Sequence, residues 1–230
     1  MPVSPLEPEQ NVFAVVILGS FNPQIFHPLW YADNELIARE EVNDVKDLLC
    51  SDEISAFVLN EVHFQIERHR FGLTTKDPSR ALSLRDLVVN TFTILEHTPL
   101  TAIGLNRDMR FRLEDPDLWH SIGHQLAPKA KWDGIIESPG MRIVAMEGQR
   151  KECNAEKVSI RVQPAGGVEN GILIAVNQHY SLKNEDHKPI AVRISDAIQI
   201  LNNDWKAFLS YSQNAATTLI ERCRIETEAV

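Results

Sequence analysis

Period-two alternation constrains this chain more than any other feature. In Val62-His63-Phe64-Gln65-Ile66-Glu67 the apolar side chains fall on one side of an extended segment and the polar ones on the other, and Phe71 and Leu73 resume the pattern beyond Arg68-His69-Arg70. Successive side chains of a strand point to opposite faces, so the stretch reads as a hairpin with one buried and one wet face. Antiparallel sheets accept that arrangement, whereas all-parallel sheets are covered on both sides. Val158, Ile160 and Val162 repeat the pattern, and a strand over 171–182 follows around Ile172, Ile174 and Val176. Gly166-Gly167 and Asn170-Gly171 supply the turn between these two strands.

Helical segments alternate with the strands. Asp77-Pro78 and Asp115-Pro116 each set a capping carboxylate before a proline, whose missing N–H costs nothing in a first helical turn. Behind the first pair Ala81, Leu84, Leu87, Val88, Thr91, Phe92 and Leu95 recur at helical spacing, and behind the second Leu118, Trp119, Ile122 and Leu126 do so until Pro128. His27-Pro28 opens a shorter helix, and Ser195-Asp196 opens a long amphipathic one with a stripe from Ile198 to Cys223. Unbroken, that last helix runs to about 45 Å at 1.5 Å per residue. It is expected either to bend near Asn202-Asn203 or Ser210-Tyr211-Ser212, or to reach across a partner. Val12 to Gly19 is apolar on both faces, which predicts a strand covered on both sides. Thr101 to Leu113 returns to strand, with a bulge expected near Asn106-Arg107-Asp108 where the alternation loses phase.

The resulting order is strand, helix, two strands, helix, then strand, helix, three strands, helix. It predicts an α+β fold: antiparallel sheet from two tandem βαββ-like units, with helices on one face and a long C-terminal helix. Residues 1–10, rich in proline and glutamate, read as a flexible arm. Residues 11–97 form the first unit and 98–230 the second, joined near Glu96 to Pro99 into one compact domain.

Composition narrows the partners. Lys and Arg total 23 against 32 Asp and Glu, and the net charge of -9 disfavours a nucleic acid, although Arg68, Arg70, Arg107, Arg110 and Arg112 would form a basic patch if their strands were neighbours. The longest apolar run, Val12 to Leu18, falls short of a membrane span, and the N-terminus lacks the basic-then-apolar order of a signal peptide. A cytoplasmic protein is therefore expected. Cys50, Cys153 and Cys223, odd in number and without CxxC spacing, fit reduced thiols.

Several groups of residues carry possible chemistry. Asn177, His179 and Tyr180 near the end of one predicted strand, with Arg150 and Arg161 on its neighbours, would converge on an anionic ligand if they share an exposed face. Cross-strand pairing accounts for the same residues. His120 and His124 are four apart on a helix, near Glu114 and Asp117, as a metal would require. No HExxH glutamate lies between them, and Trp119 and Ile122 point to packing instead, so no metal is assigned. His63 and His69 with Glu61, Glu67 and Arg70 would make an acid–base cluster, yet any wet sheet face carries such residues. Gly19-Ser20 is not a nucleophile elbow, and no phosphate-binding glycine loop is present. No catalytic residue and no cofactor are assigned.

The phrases FNPQIFHPLW (21–30), FQIERHRFGLTT (64–75), TAIGLNRDMRF (101–111), WHSIGHQLAPKAKW (119–132) and LIAVNQHYSL (173–182) resemble a sporadically distributed family of uncharacterised bacterial proteins of about this length. So does the C-terminal WKAFLSYSQNAATTLIERCRI. The resemblance spans most of the chain and brings no residue roles. Its patchy distribution implies an accessory gene in a mobile or defence-related neighbourhood. The expectation is a non-enzymatic binding or assembly protein acting through protein–protein contacts, with self-association along the C-terminal helix through Trp205, Phe208, Leu209, Leu219 and Ile220. The alternatives are a sensor of a small anionic ligand held between the two halves, and a metal-dependent or other hydrolase.

Overall fold

The chain folds, in a computed structural model that describes residues 6–151, 153–182 and 190–228, around a single nine-stranded antiparallel sheet. In chain order the elements are β1 (Gln10–Gly19), α1 (Pro28–Asp33), β2 (Lys46–Cys50), β3 (Ile54–Leu59), β4 (Val62–Glu67), β5 (Arg70–Thr75) and α2 (Ala81–Ile94). The second half follows with β6 (Leu100–Arg112), α3 (Pro116–Leu126), β7 (Val144–Gly148), β8 (Lys157–Pro164), β9 (Gly171–Ser181) and α4 (Ile190–Glu228). The strand order is β2-β3-β4-β5-β1-β6-β9-β8-β7. Each half begins with a central strand, crosses through a helical connection to the far edge, meanders back beside its first strand and ends in a helix. β1 and β6 form the seam.

The registers relate the two halves. Val62–Glu67 of β4 and Val158–Gln163 of β8 alternate in the same way, and carrying that match through the strand pairings sets Ala14 opposite Asn106 on a pseudo-twofold axis. The same match makes Phe57, opposite Phe64, the counterpart of Met146, opposite Ile160.

One face of the sheet is covered. Phe13, Val15 and Ile17 of β1, Phe71 and Leu73 of β5, and Ile103, Leu105, Met109 and Phe111 of β6 point into a core closed by Leu84, Val88 and Phe92 of α2 and by Leu118 and Ile122 of α3. Both Asp-Pro starts cap as expected: Asp77 accepts from the Ser79 amide at 2.8 Å, and Asp115 from the Asp117 amide at 2.8 Å. The Ser79 bond holds the Asp77 carboxyl below its ordinary pKa. α4 lies over β6 and β9 and against α2 and α3.

Four expectations change. The first unit has four strands after α1, because Asn60 and Glu61 turn the chain with φ of 50° and 60°, and because the edge strand β2 is exposed throughout and shows no alternation. β6 pairs without a shift near Arg107. The alternation breaks there because a polar residue faces the core, and the irregularity in the β1–β6 pairing falls at Leu18/Gly19 instead. α4 begins at Ile190, five residues ahead of Ser195, and runs unbroken through both proposed bends. Its stripe is buried from Ile194 to Cys223, about 44 Å, by this chain's own sheet and helices. Finally, β1 is covered on one side only. Residues 1–5 of the expected arm lie outside the described residues, while Gln213 Nε2 donates to the Leu6 carbonyl and Glu9 pairs with Arg112 at 2.8 Å.

Arg107 is the charged group of the core, 9% exposed. Its guanidinium donates to Asn11 Oδ1 (2.8 and 3.0 Å), the Leu209 carbonyl (2.9 Å) and Gln213 Oε1 (2.8 Å), and stands 5.1 Å from the Phe13 ring centroid. Burial lowers its pKa, opposed by Glu7. The fork ties β1, β6 and α4 together with neutral acceptors, as the planar guanidinium geometry permits.

Candidate functional site

Among the described residues no helix packs on the other side of the sheet, and pairing registers map what lies on it. Along β1 the outward residues are Val12, Ala14, Val16 and Leu18. Val16 lies between Gly72 of β5 and Gly104 of β6, Ala14 between Thr74 and Asn106, and Leu18 between Arg70 and Ala102. Beyond β6, Asp108 faces Ala175 of β9 and Gly104 faces His179. The central strands thus present a floor of glycine, alanine and valine, rimmed by His63 and Gln65 on one side and by His179, Arg161 and Lys157 on the other. With strands about 4.8 Å apart, the whole face is roughly 38 Å wide.

The glycines let polar side chains lie flat on this floor. A Cβ on Gly104 would stand 3.2 Å from Asn177 Nδ2 and 3.4 Å from Asn106 Nδ2, and one on Gly72 would stand 3.0 Å from Arg70 Nη1. Asn177 Nδ2 donates to Asn106 Oδ1 at 2.7 Å, and Asn106 Nδ2 donates to the Gly104 carbonyl at 3.1 Å. Both orientations are thereby set. Beside this pair a hollow of about 340 Å³ is lined by Asn106, Asp108, Ser159, Arg161 and Asn177 over Ala145 and Ala175. Burial raises the Asp108 carboxyl above its ordinary pKa, opposed by Arg161 and Arg110. The hollow combines a cation, a carboxyl, carboxamides and a hydroxyl, a set suited to hydrogen-bonded recognition.

Of the residues expected to hold an anion, Arg161, Asn177 and His179 share this open face, and the other two do not. Tyr180 follows His179 and points to the helix side, donating to Asp204 Oδ2 at 2.8 Å and accepting from Gln178 Nε2 at 2.6 Å. Burial, with Asp204 adding to it, raises its phenol pKa. Arg150, beyond β7, sits 4.3 Å over the Tyr211 ring of α4. The hollow lies within the second half, off the β1–β6 seam, and not between the two halves. Asp108, Asn106 and Ser159 went unrecognised in the sequence, since only the registers bring them beside Asn177 and Arg161.

His120 and His124 are exposed on the outer side of α3, with the Trp119 ring edge-on to His120 at 4.9 Å. Among the described residues no group of three or more His, Cys, Asp or Glu is placed to hold a metal ion. His63 stands on the open face, while His69 occupies the β4–β5 turn beside Arg68, which binds Glu53 at 2.8 and 2.9 Å. The five arginines do not gather: Arg107 is inside, and Arg70 and Arg110 pair with Leu18 and Gln10 at opposite ends of β1, roughly 26 Å apart. Trp205, Phe208 and Ile220 are buried in the core, with Leu209 and Leu219 half-buried beside them. The stripe expected to need a partner is covered by its own chain, except that half-buried Leu219 borders a groove beside β7 and β8. Among the described residues no helix is long and apolar enough to cross a membrane, and no disulfide joins Cys50, Cys153 or Cys223. No protein-family model matches the chain, and no curated protein matches it in sequence.

Proposed function

We propose that this protein is a non-enzymatic binding component that receives a protein partner on the open face of its sheet. One observation carries the reading: β1, at the middle of the sheet, sets Val12, Ala14, Val16 and Leu18 on a face over which no helix packs among the described residues, and Leu18 is 41% exposed. Removing a valine or leucine side chain from water is worth about 1.5–3 kcal/mol. A strand with nothing to meet on that side is as well served by the threonines and glutamines that solvated sheet faces carry. The basic groups are dispersed, with Lys157 paired to Glu147 and Arg112 to Glu9, which favours a protein surface over a phosphate backbone.

Capture on tagged protein from its native cells tests this. A partner retained by wild type and by Leu82→Glu, on the solvent side of α2, but lost with Val16→Glu supports the open face. A partner that Val16→Glu still retains contradicts it.

A second reading is favoured by the hollow, where Arg161, Ser159 and Asn177 line one space. There the protein would sense a small carboxylate or phosphate. It predicts a rise in melting temperature with such a compound, which Arg161→Ala abolishes; a panel of these anions that leaves the melt unchanged removes it.

A further inference from the structure

A different surface, independent of the open face, speaks to assembly. Among the described residues, five of the eleven exposed large apolar side chains, Trp132, Ile135, Ile136, Ile143 and Met146, fall between 132 and 146. Contiguous apolar exposure of this kind marks contact surfaces. Met146 also lines a groove of about 540 Å³ on the helix side of the sheet, together with Leu126, Val144, Ile160, Val162 and Leu219.

The first half shows what belongs in such a groove. Phe57 of β3 is 2% exposed because Tyr31 and Phe26, from the connection between β1 and β2, lie over the outer strands, with the Tyr31 ring 6.1 Å from Phe57 and 5.2 Å from Phe64. Its counterpart Met146 is 69% exposed. The equivalent connection, between β6 and β7, carries an aromatic and two isoleucines that could serve as cover, yet Trp132, Ile135 and Ile136 stand 48%, 72% and 51% exposed. Among the described residues an exposed apolar segment, in the connection that leads into β7, and an open apolar groove beside β7 thus occur in one molecule.

The two sheet edges also differ. β2 is guarded by Lys46 and Asp47, by a break in its pairing between Lys46 and Leu49, and by the left-handed backbone of Asp47 at φ 54°. β7, Val-Ala-Met-Glu-Gly, pairs regularly with β8, has no second neighbour strand among the described residues and carries neither proline nor lysine, and its one charged side chain, Glu147, is tied back to Lys157 of β8 at 3.1 Å. Unguarded edges are the ones that take another strand.

We infer that two copies of this chain associate through β7. The edge strands pair antiparallel about a twofold axis, and the Trp132–Ile136 segment of each copy covers the groove beside Met146 of the other. A twofold contact requires a surface that is complementary to itself, and a chain carrying both an exposed apolar segment and an open apolar groove supplies the two parts of one.

Sedimentation equilibrium over a concentration series tests the inference with three proteins. Wild type is expected to dimerise, Met146→Lys to weaken the dimer at least about tenfold, and Leu49→Lys, at the opposite edge, to leave it intact. Both substitutions are at exposed side chains, 69% and 54%, so unchanged melting curves confirm that each variant is folded. Concentration-dependent protection of the β7 amides from hydrogen exchange is the second expected result. A monomer at every concentration, a dimer indifferent to Met146→Lys, or one abolished by Leu49→Lys overturns the inference.

Discussion

Trp205 separates two accounts of α4, since its side chain either seals this chain's core or waits for a partner. It is fully buried, its ring centroid 6.0 Å from that of Phe208, and its indole N–H has no hydrogen-bond partner among the described residues. Taking up to about 250 Å² of aromatic surface out of water is worth about 6 kcal/mol as an upper bound, and Trp→Ala substitutions in cores cost about 3–5 kcal/mol. Trp205→Ala is therefore expected to destabilise by about 4 kcal/mol, a fall of about 8–16 °C in Tm for a domain of this size. Trp205→Phe keeps most of the apolar area and removes a buried donor whose lack of a partner costs about 1–3 kcal/mol. The two effects offset, so its net change is expected to stay below about 1.5 kcal/mol. Urea denaturation followed by circular dichroism measures both. An alanine variant that loses under about 1 kcal/mol while changing its oligomeric state would refute the core assignment.

Asp108→Asn tests the hollow through pH. Burial raises the folded-state pKa of Asp108, so its protonated form is favoured in the fold, and the stability this brings is present at acid pH and lost as pH rises through the folded pKa. The asparagine variant is expected to melt higher than wild type near neutrality and alike at acid pH; a difference that persists at low pH contradicts the burial argument. Asp115→Ala removes the cap on α3 and is expected to cost about 1 kcal/mol in denaturant titration, whereas no loss would leave the 2.8 Å bond without energetic weight. Glu61→Gly relieves a left-handed residue at φ 60° in the β3–β4 turn and is expected to stabilise by about 0.5–1 kcal/mol, with a drop in Tm as the contrary result.

How far these features were legible in the sequence follows from their range. Alternation in 62–67 and 157–163 and the two Asp-Pro caps are local signals, and they led to an α+β fold with antiparallel sheet, helices on one face and a long C-terminal helix. β2 was not legible because an edge strand exposed on every side has no apolar face to alternate. Arg107 misled because side-chain polarity, read alone, places an arginine outside, whereas its acceptors on Asn11, Leu209 and Gln213 come from distant parts of the chain. Within the group expected to hold an anion, Tyr180 was separable from His179 by alternation alone. The hollow itself needed registers: Asn106 and Asn177 are 71 residues apart and meet at 2.7 Å only through the β6–β9 pairing. The double-sided apolarity of β1 was read correctly from its residues. Its explanation changed, since no helix packs on the second side among the described residues.

That second side is best tested by photo-crosslinking in the native cell, with a photoreactive side chain placed at position 16 on the open face or at position 82 on the outer side of α2. The account predicts a polypeptide adduct from position 16 and none from position 82. Adducts from both positions in equal yield, or from neither, would contradict it.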